Sequence, residues 1–318
     1  MQYQPRNRRR NRRRIRWGRL IAVLLGLGAA AFGLVKLIVY GADLLSSRRT
    51  ARELRAVYDA APVAETPAAA ETSAPEAAPE STAAPAAAPT AGPAPAALSK
   101  LPEIGYPGNP GKTIGSRFRS LRKENRDIVG WLTIGRLIDE PVVQRDDVYY
   151  MDHDAKGNRN VNGAVFLDSG VSLKTRPWTY ILYGHNMKSG AMFGNLRNYE
   201  NASFYHGSPF IAFDTVYEEG RYVVFAVGNV STVEGGRNYV DFYALKSPDI
   251  AVRQKSIDLL TAASVHTCTV DVQPEDQLLL LVTCVEKDEE RRIVAARRIR
   301  EGEDEKALAA LVEKSRKK

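Results

Sequence analysis

Residues Leu278 to Cys284 read Leu-Leu-Leu-Leu-Val-Thr-Cys, an apolar run that stops at a thiol. Gln277 precedes it and Glu286-Lys287-Asp288 follows, a pattern that suits a short strand buried on both faces. A thiol at the end of such a strand stands where the core meets solvent. Arg292 opens a second apolar run, Ile293-Val294-Ala295-Ala296, and about a hundred residues before the cysteine a strand-like run, Thr179 to Tyr183, leads into Gly184-His185. A thiol becomes a useful nucleophile when a base or cation stands close to it. His185 can serve as that base and then protonate a leaving amine. An arginine keeps its proton in proteins, so Arg292 is suited to holding an oxyanion or a substrate carbonyl rather than to base work. Together Cys284, His185 and Arg292 are the parts of a thiol acyl-transfer site.

Each residue type also has a purely structural reading. Free cysteine is among the most buried residue types, and a single histidine is more often a loop residue than a base. Arg292 belongs to a cluster with Arg291, Arg297 and Arg298, charges expected to be solvated. Strand alternation places only one of Arg291 and Arg292 in a site. His266 competes with His185, and Cys268 reads as a structural thiol. Two cysteines and four histidines at scattered positions make no zinc pattern, so neither a metal nor any other cofactor is expected.

The basic charge is local. Residues 1 to 16 hold eight arginines and no acid, which accounts for the whole formal net charge of +8. The remainder is neutral, which weighs against a nucleic-acid-binding domain. Leu20 to Tyr40 is apolar except for Lys36, and its 21 residues would span about 31 Å as a helix, enough to cross a bilayer. The apolar run continues past Ala29-Ala30-Ala31, which argues for an anchor over a cleaved signal peptide. The arginine block sets the N-terminus in the cytoplasm and everything after Tyr40 outside.

The predicted order is an arginine-rich tail over 1–19, a transmembrane helix over 20–40, a juxtamembrane helix and Ala/Pro-rich linker over 41–110, and a folded domain over 111–318. The linker is too poor in apolar bulk to fold, and about 50 residues of flexible coil reach roughly 40 Å. It is expected to lift the domain off the membrane. Within the domain, β-branched and aromatic content predicts strands at 128–134, 141–144, 163–168, 178–184, 210–213 and 221–230, besides the two around Cys284 and Arg292. Helices are expected at 116–125, 248–263 and 303–317. Many short strands with few helices predict a mainly β fold, a closed barrel with peripheral helices.

The surrounding motifs resemble those of class B sortases. Tyr183-Gly184-His185-Asn186-Met187, followed by Met192-Phe193-Gly194-Asn195-Leu196, is similar to that family's histidine segment. Leu281-Val282-Thr283-Cys284 resembles the Leu-x-Thr-Cys signature of sortases, and Arg292-Ile293-Val294 looks like the arginine segment after it. Val129-Gly130-Trp131, Pro141-Val142-Val143-Gln144, Tyr149-Tyr150 with His153-Asp154, and Phe166-Leu167-Asp168 extend the likeness over roughly residues 115 to 300.

The resemblance implies a sortase catalytic domain over 111–318, anchored at a Gram-positive cell surface. It implies a cysteine transpeptidase that cuts a pentapeptide sorting motif through a thioacyl intermediate on Cys284. His185 would be the acid and base, and Arg292 the oxyanion or substrate stabiliser. The implied partners are surface proteins bearing a C-terminal sorting motif and an amine of a cell-wall precursor or pilin. A cysteine peptidase using water, or a non-catalytic wall-binding module, are the alternatives. Leu101-Pro102-Glu103-Ile104-Gly105 looks like a sorting pentapeptide, but it lacks threonine at the fourth place and a hydrophobic tail, and reads as linker.

Overall fold

The computed structural model describes residues 17–61, 113–285 and 289–318, with the backbone alone for residues 17–20 and Cys284. The arginine tail, the Ala/Pro-rich stretch and the Leu101–Gly105 pentapeptide lie outside the described residues.

Helix α1 runs Trp17–Ala60. Residues up to 46 form a unit of their own, in which Ile21 to Val39 present exposed apolar side chains. This helix is long and apolar enough to cross a membrane. The second unit, Ser47–Lys318, is a closed eight-stranded barrel in the order β1-β2-β3-β4-β7-β8-β6-β5. Its strands are β1 Ile128–Ile134, β2 Ile138–Val143, β3 Val165–Leu167, β4 Thr179–Tyr183, β5 Phe210–Thr215, β6 Arg221–Ser231, β7 Leu278–Cys284 and β8 Glu290–Arg298. The contacts β2–β3 and β4–β7 are parallel, and the other six are antiparallel. Helices α2 Ser116–Glu124, α3 Ala202–Gly207, α4 Ile250–Ala263 and α5 Glu305–Val312 sit outside the sheet.

The strands close into a barrel because their apolar residues require burial on both faces. Leu278 to Val282 of β7 and Ile293 to Ala296 of β8 are all buried, as continuous apolar runs demand. Helix α4 starts at an N-cap, Asp249, whose carboxylate accepts from the Ala251 and Val252 amides. The expected strands and the helix after residue 248 are present. The turn of 3₁₀ helix Gly194–Glu200 and the short α3 had no periodic signal to announce them.

The folded unit begins well before residue 111. Ser47, Thr50, Leu54, Tyr58 and Ala61 are all buried, and their spacing of three and four residues makes one face of α1. That face lies on the barrel wall. Leu54 is fully buried, and the Tyr58 ring stacks on Trp131 at 4.9 Å and meets Phe118 edge-on at 5.6 Å. The Tyr58 hydroxyl donates to Asp214 at 2.7 Å, and Arg55 reaches Asp139 at 2.7 Å. The stretch expected to hold the domain away from its anchor therefore joins two elements packed on the same barrel. Leu54→Ala is expected to lower stability by about 3 kcal/mol. A fragment starting at 113 should melt roughly 10 °C below one starting at 47, since burial of Leu54 and Tyr58 is worth about 1.5–3 kcal/mol each. Differential scanning calorimetry on the two fragments checks this.

Arg297 and Arg298, expected to be solvated, are 1% and 2% exposed. Arg297 pairs with Glu303 at 2.6 Å and donates to the Asp271 carbonyl. Arg298 meets Glu218 at 3.1 Å, donates to Gln277 at 2.9 Å and reaches the Glu219 carbonyl at 2.8 Å. Glu218 also holds Arg176. Glu218 and the Asp271 carbonyl come from segments distant in sequence, so the burial of the two arginines depended on tertiary partners.

Candidate active site

The strand register brings the candidate residues together. In the parallel β4–β7 contact Tyr183 pairs with Val282, and the Gly184 amide donates to the Val282 carbonyl at 3.2 Å. That is the last pair of the contact, so position 185 follows the end of β4 where position 284 ends β7. In the antiparallel β7–β8 contact Cys284 pairs with Arg291 and Thr283 with Arg292. Directly opposed residues share a face, and adjacent strands lie about 4.8 Å apart. Positions 185, 284 and 291 thus converge at one end of three neighbouring strands.

A groove of about 230 Å³ opens there, lined by Asp147, Met151, Phe166, Tyr183, Gly184, His185, Val282, Thr283 and Arg291. Its floor is apolar, with Phe166 and Tyr183 in ring contact at 5.4 Å. The Thr283 hydroxyl, on a residue 2% exposed, has no hydrogen-bond partner among the described residues.

His185 is held by backbone. Its Nε2 lies 2.6 Å from the Met151 carbonyl oxygen, which can only accept, so Nε2 carries the hydrogen and Nδ1 is left for a reacting group. The histidine loop folds back on itself, since the Phe193 amide donates to the His185 carbonyl at 3.0 Å and Asn186 bridges Met192. Gly184 is required for this. A Cβ there would stand 2.9 Å from the Phe193 ring.

Tyr183 is fixed from below. Its hydroxyl donates to Asp168 at 3.3 Å, and Asp168 also accepts from the Gly170 amide at 2.9 Å and from Lys246 at 3.0 Å. Burial pushes the Tyr183 phenol up, the Asp168 and Asp147 charges push it further, and Arg291 opposes them. Tyr183 is therefore a neutral hydroxyl wall.

The two arginines part company. Arg291 lines the groove, whereas Arg292 is turned to Glu200, at 2.8 and 3.0 Å, at the end of the 3₁₀ turn. Sequence reading favoured Arg292, and register is the reason the structure separates them: Arg292 is level with Thr283, one residue before the thiol. His266 is buried, donates through Nε2 to the Tyr199 carbonyl at 2.7 Å and stacks on Tyr205 at 4.9 Å. It is outside the groove. Burial lowers its basicity. Cys268 is half-buried against the Val270 carbonyl, and burial pushes its thiol up, away from thiolate chemistry. Among the described residues no cluster of three or more metal-ligating side chains occurs. Met151, Asp147 and Tyr183 were not singled out as groove residues from sequence. Tyr183 lay within the quoted histidine motif, Met151 acts through a main-chain carbonyl, and Asp147 carries no sequence signal.

Known proteins resemble this chain in sequence and fold. The family described as the Sortase domain matches residues 133–299. Sortase B of Listeria monocytogenes is 32% identical over 188 residues, 58% of this chain and 73% of that protein. Sortase B of Staphylococcus aureus is 31% identical over 187 residues, 58% of this chain and 74% of its own length. In fold, the chain is similar to sortase B from Bacillus anthracis in complex with AAEK1, with a TM-score of 0.59 at 22% identity over 81% of this chain and 98% of that one. It is also similar to a Staphylococcus aureus sortase B–substrate complex, with a TM-score of 0.54 at 26% identity over 60% of this chain and 88% of the other. With a family match over more than half its length, two relatives above 30% identity and the closed barrel, the chain belongs to the sortase family, in class B, and is a cysteine transpeptidase.

Proposed function

We propose that Cys284, His185 and Arg291 carry the reaction, with Arg291 in the place that sequence reading gave to Arg292. The observation that supports this assignment is the β7–β8 register, which pairs Cys284 with Arg291, together with the groove that His185 and Arg291 both line. Cys284 attacks the scissile carbonyl of a sorting-motif peptide lying in the groove. Arg291 stabilises the oxyanion as the tetrahedral intermediate forms. His185 Nδ1 takes the thiol proton as Cys284 attacks and gives it to the departing amine as the C–N bond breaks, leaving a thioacyl enzyme. The same nitrogen then accepts a proton from the incoming amine, whose attack forms the new amide and releases the Cys284 sulfur. That amine belongs to a cell-wall precursor or pilin. The Met151 carbonyl supports this cycle by keeping the Nε2 proton in place while Nδ1 exchanges its own.

The apolar part of α1 is the membrane anchor, with the arginine-rich N-terminus in the cytoplasm and the barrel outside. Intact-mass spectrometry with a panel of sorting peptides, with and without triglycine, tests the assignment. The wild type should show an acyl adduct and, with amine, a ligated product, and Cys284→Ala should show neither. An adduct on Cys284→Ala would sink the nucleophile assignment, and cleavage without ligation in the presence of amine would favour water as the acceptor.

A further inference from the structure

The docked segment of α1 touches the same loop that holds the catalytic histidine. Its Ser47 hydroxyl donates to Asn160 at 3.1 Å and accepts from the Asn162 amide at 3.1 Å, and the Thr50 hydroxyl donates to Asp154 at 3.1 Å. All five side chains are buried, which makes these bonds costly to leave unmade. Asp154, Asn160 and Asn162 belong to the loop that follows Met151. That loop is laced to itself: the Asn160 amide donates to the Asp152 carbonyl at 2.8 Å, and the Ala164 amide to the Tyr150 carbonyl at 3.0 Å. Gly163, at a φ of +61°, lets its backbone pack where a Cβ would be 2.8 Å from the Met151 carbonyl oxygen. That oxygen is the one that holds His185 Nε2. On the other side of the helix contact, Ser47, Thr50 and Ala51 line a small cavity together with Gly163 and with Met192 of the histidine loop.

We propose that Ser47 and Thr50 are positioning residues for His185. The segment next to the membrane anchor then sets the tautomer and orientation of the acid–base group through the Asp152–Gly163 loop and the Met151 carbonyl. Removing the two hydroxyls frees Asp154, Asn160 and Asn162 to re-pair, lets the Met151 carbonyl shift, and releases the ring to exchange its Nε2 proton with solvent. This rests on the reading of His185 as the acid and base.

The test uses the full chain in detergent micelles, labelled with ¹⁵N-histidine, the His185 signals being assigned by comparison with His185→Gln. Wild type, the double variant Ser47→Ala/Thr50→Val, and the conservative Thr50→Ser are compared by NMR, by acyl-transfer kinetics and by melting temperature. In the double variant the His185 ¹⁵N shifts should move toward a tautomer mixture. Its kcat should fall about tenfold with KM little changed, since small misplacement of a reacting group costs rate rather than binding. Thr50→Ser should keep both near wild type. A lower melting temperature with unmoved His185 signals and unchanged kcat would overturn the proposal and leave the helix a structural element only. The NMR comparison reads the coupling without any turnover. If the wild type forms no acyl enzyme while the His185 signals still respond, the failure lies with the catalytic reading and not with the coupling.

Discussion

Arg291→Ala is expected to lower kcat/KM for acyl transfer by about 10²–10³-fold, the usual cost of removing one oxyanion donor. Arg292→Ala is expected to leave it within about threefold. Arg291 lines the groove and pairs with Cys284 in the β7–β8 ladder, so under the proposed assignment its charge lies where negative charge would develop. Arg292 spends its guanidinium on Glu200, which is 40% exposed at its side chain. Loss of that pair should cost stability of only about 1 kcal/mol, as for a partly exposed ion pair. Arg291→Lys should recover little, because a point charge does not reproduce a planar fork of donors. Steady-state kinetics on the three variants, with melting temperatures measured alongside, decide the matter. A larger loss in Arg292→Ala than in Arg291→Ala would reverse the assignment.

Glu218→Ala should be the most destabilising single change away from the groove, by about 3–5 kcal/mol or roughly 10 °C in melting temperature. Glu218 is 5% exposed at its side chain and holds both Arg298 and Arg176. Without it the buried Arg298 retains Gln277 and the Glu219 carbonyl but loses the Glu218 carboxylate that offsets its charge, with the Arg176 charge beside it. Breaking a buried pair costs more than replacing it whole, because the remaining charge stays desolvated. The double variant Glu218→Leu/Arg298→Met should therefore be less destabilised than Glu218→Ala. Thermal unfolding of the three proteins tests this, and an unperturbed Glu218→Ala would show that water or other acceptors replace the carboxylate.

Much of this protein was legible before folding was considered. The run ending at Cys284 suited a strand buried on both faces, because consecutive residues with almost no polar group leave neither face for solvent. The strand before His185 followed from the same argument, and the apolar helix from Leu20 from length and hydropathy. The motifs around the histidine and the thiol carried the family. What they did not carry was register. Arg291 and Arg292 are adjacent in sequence and alike in chemistry, and only the pairing of Cys284 with Arg291 across the hairpin separates groove from flank. The same limit hid the docked helix. Residues 47, 50, 54, 58 and 61 show a helical stripe, but its partners at Trp131, Asp154 and Asp214 are far along the chain, so the composition of the intervening stretch suggested separation where there is contact.

The sequence by itself indicated which residues could do the chemistry, that each stands at the edge of a strand-like run, and that an apolar helix precedes them, since residue type and short-range periodicity act locally. The tertiary structure alone decided which arginine faces the groove, why Arg297 and Arg298 can be buried, and that a main-chain carbonyl holds His185. Each of these depends on pairing between distant segments or on backbone atoms that every residue shares, and neither leaves a mark in the order of side chains.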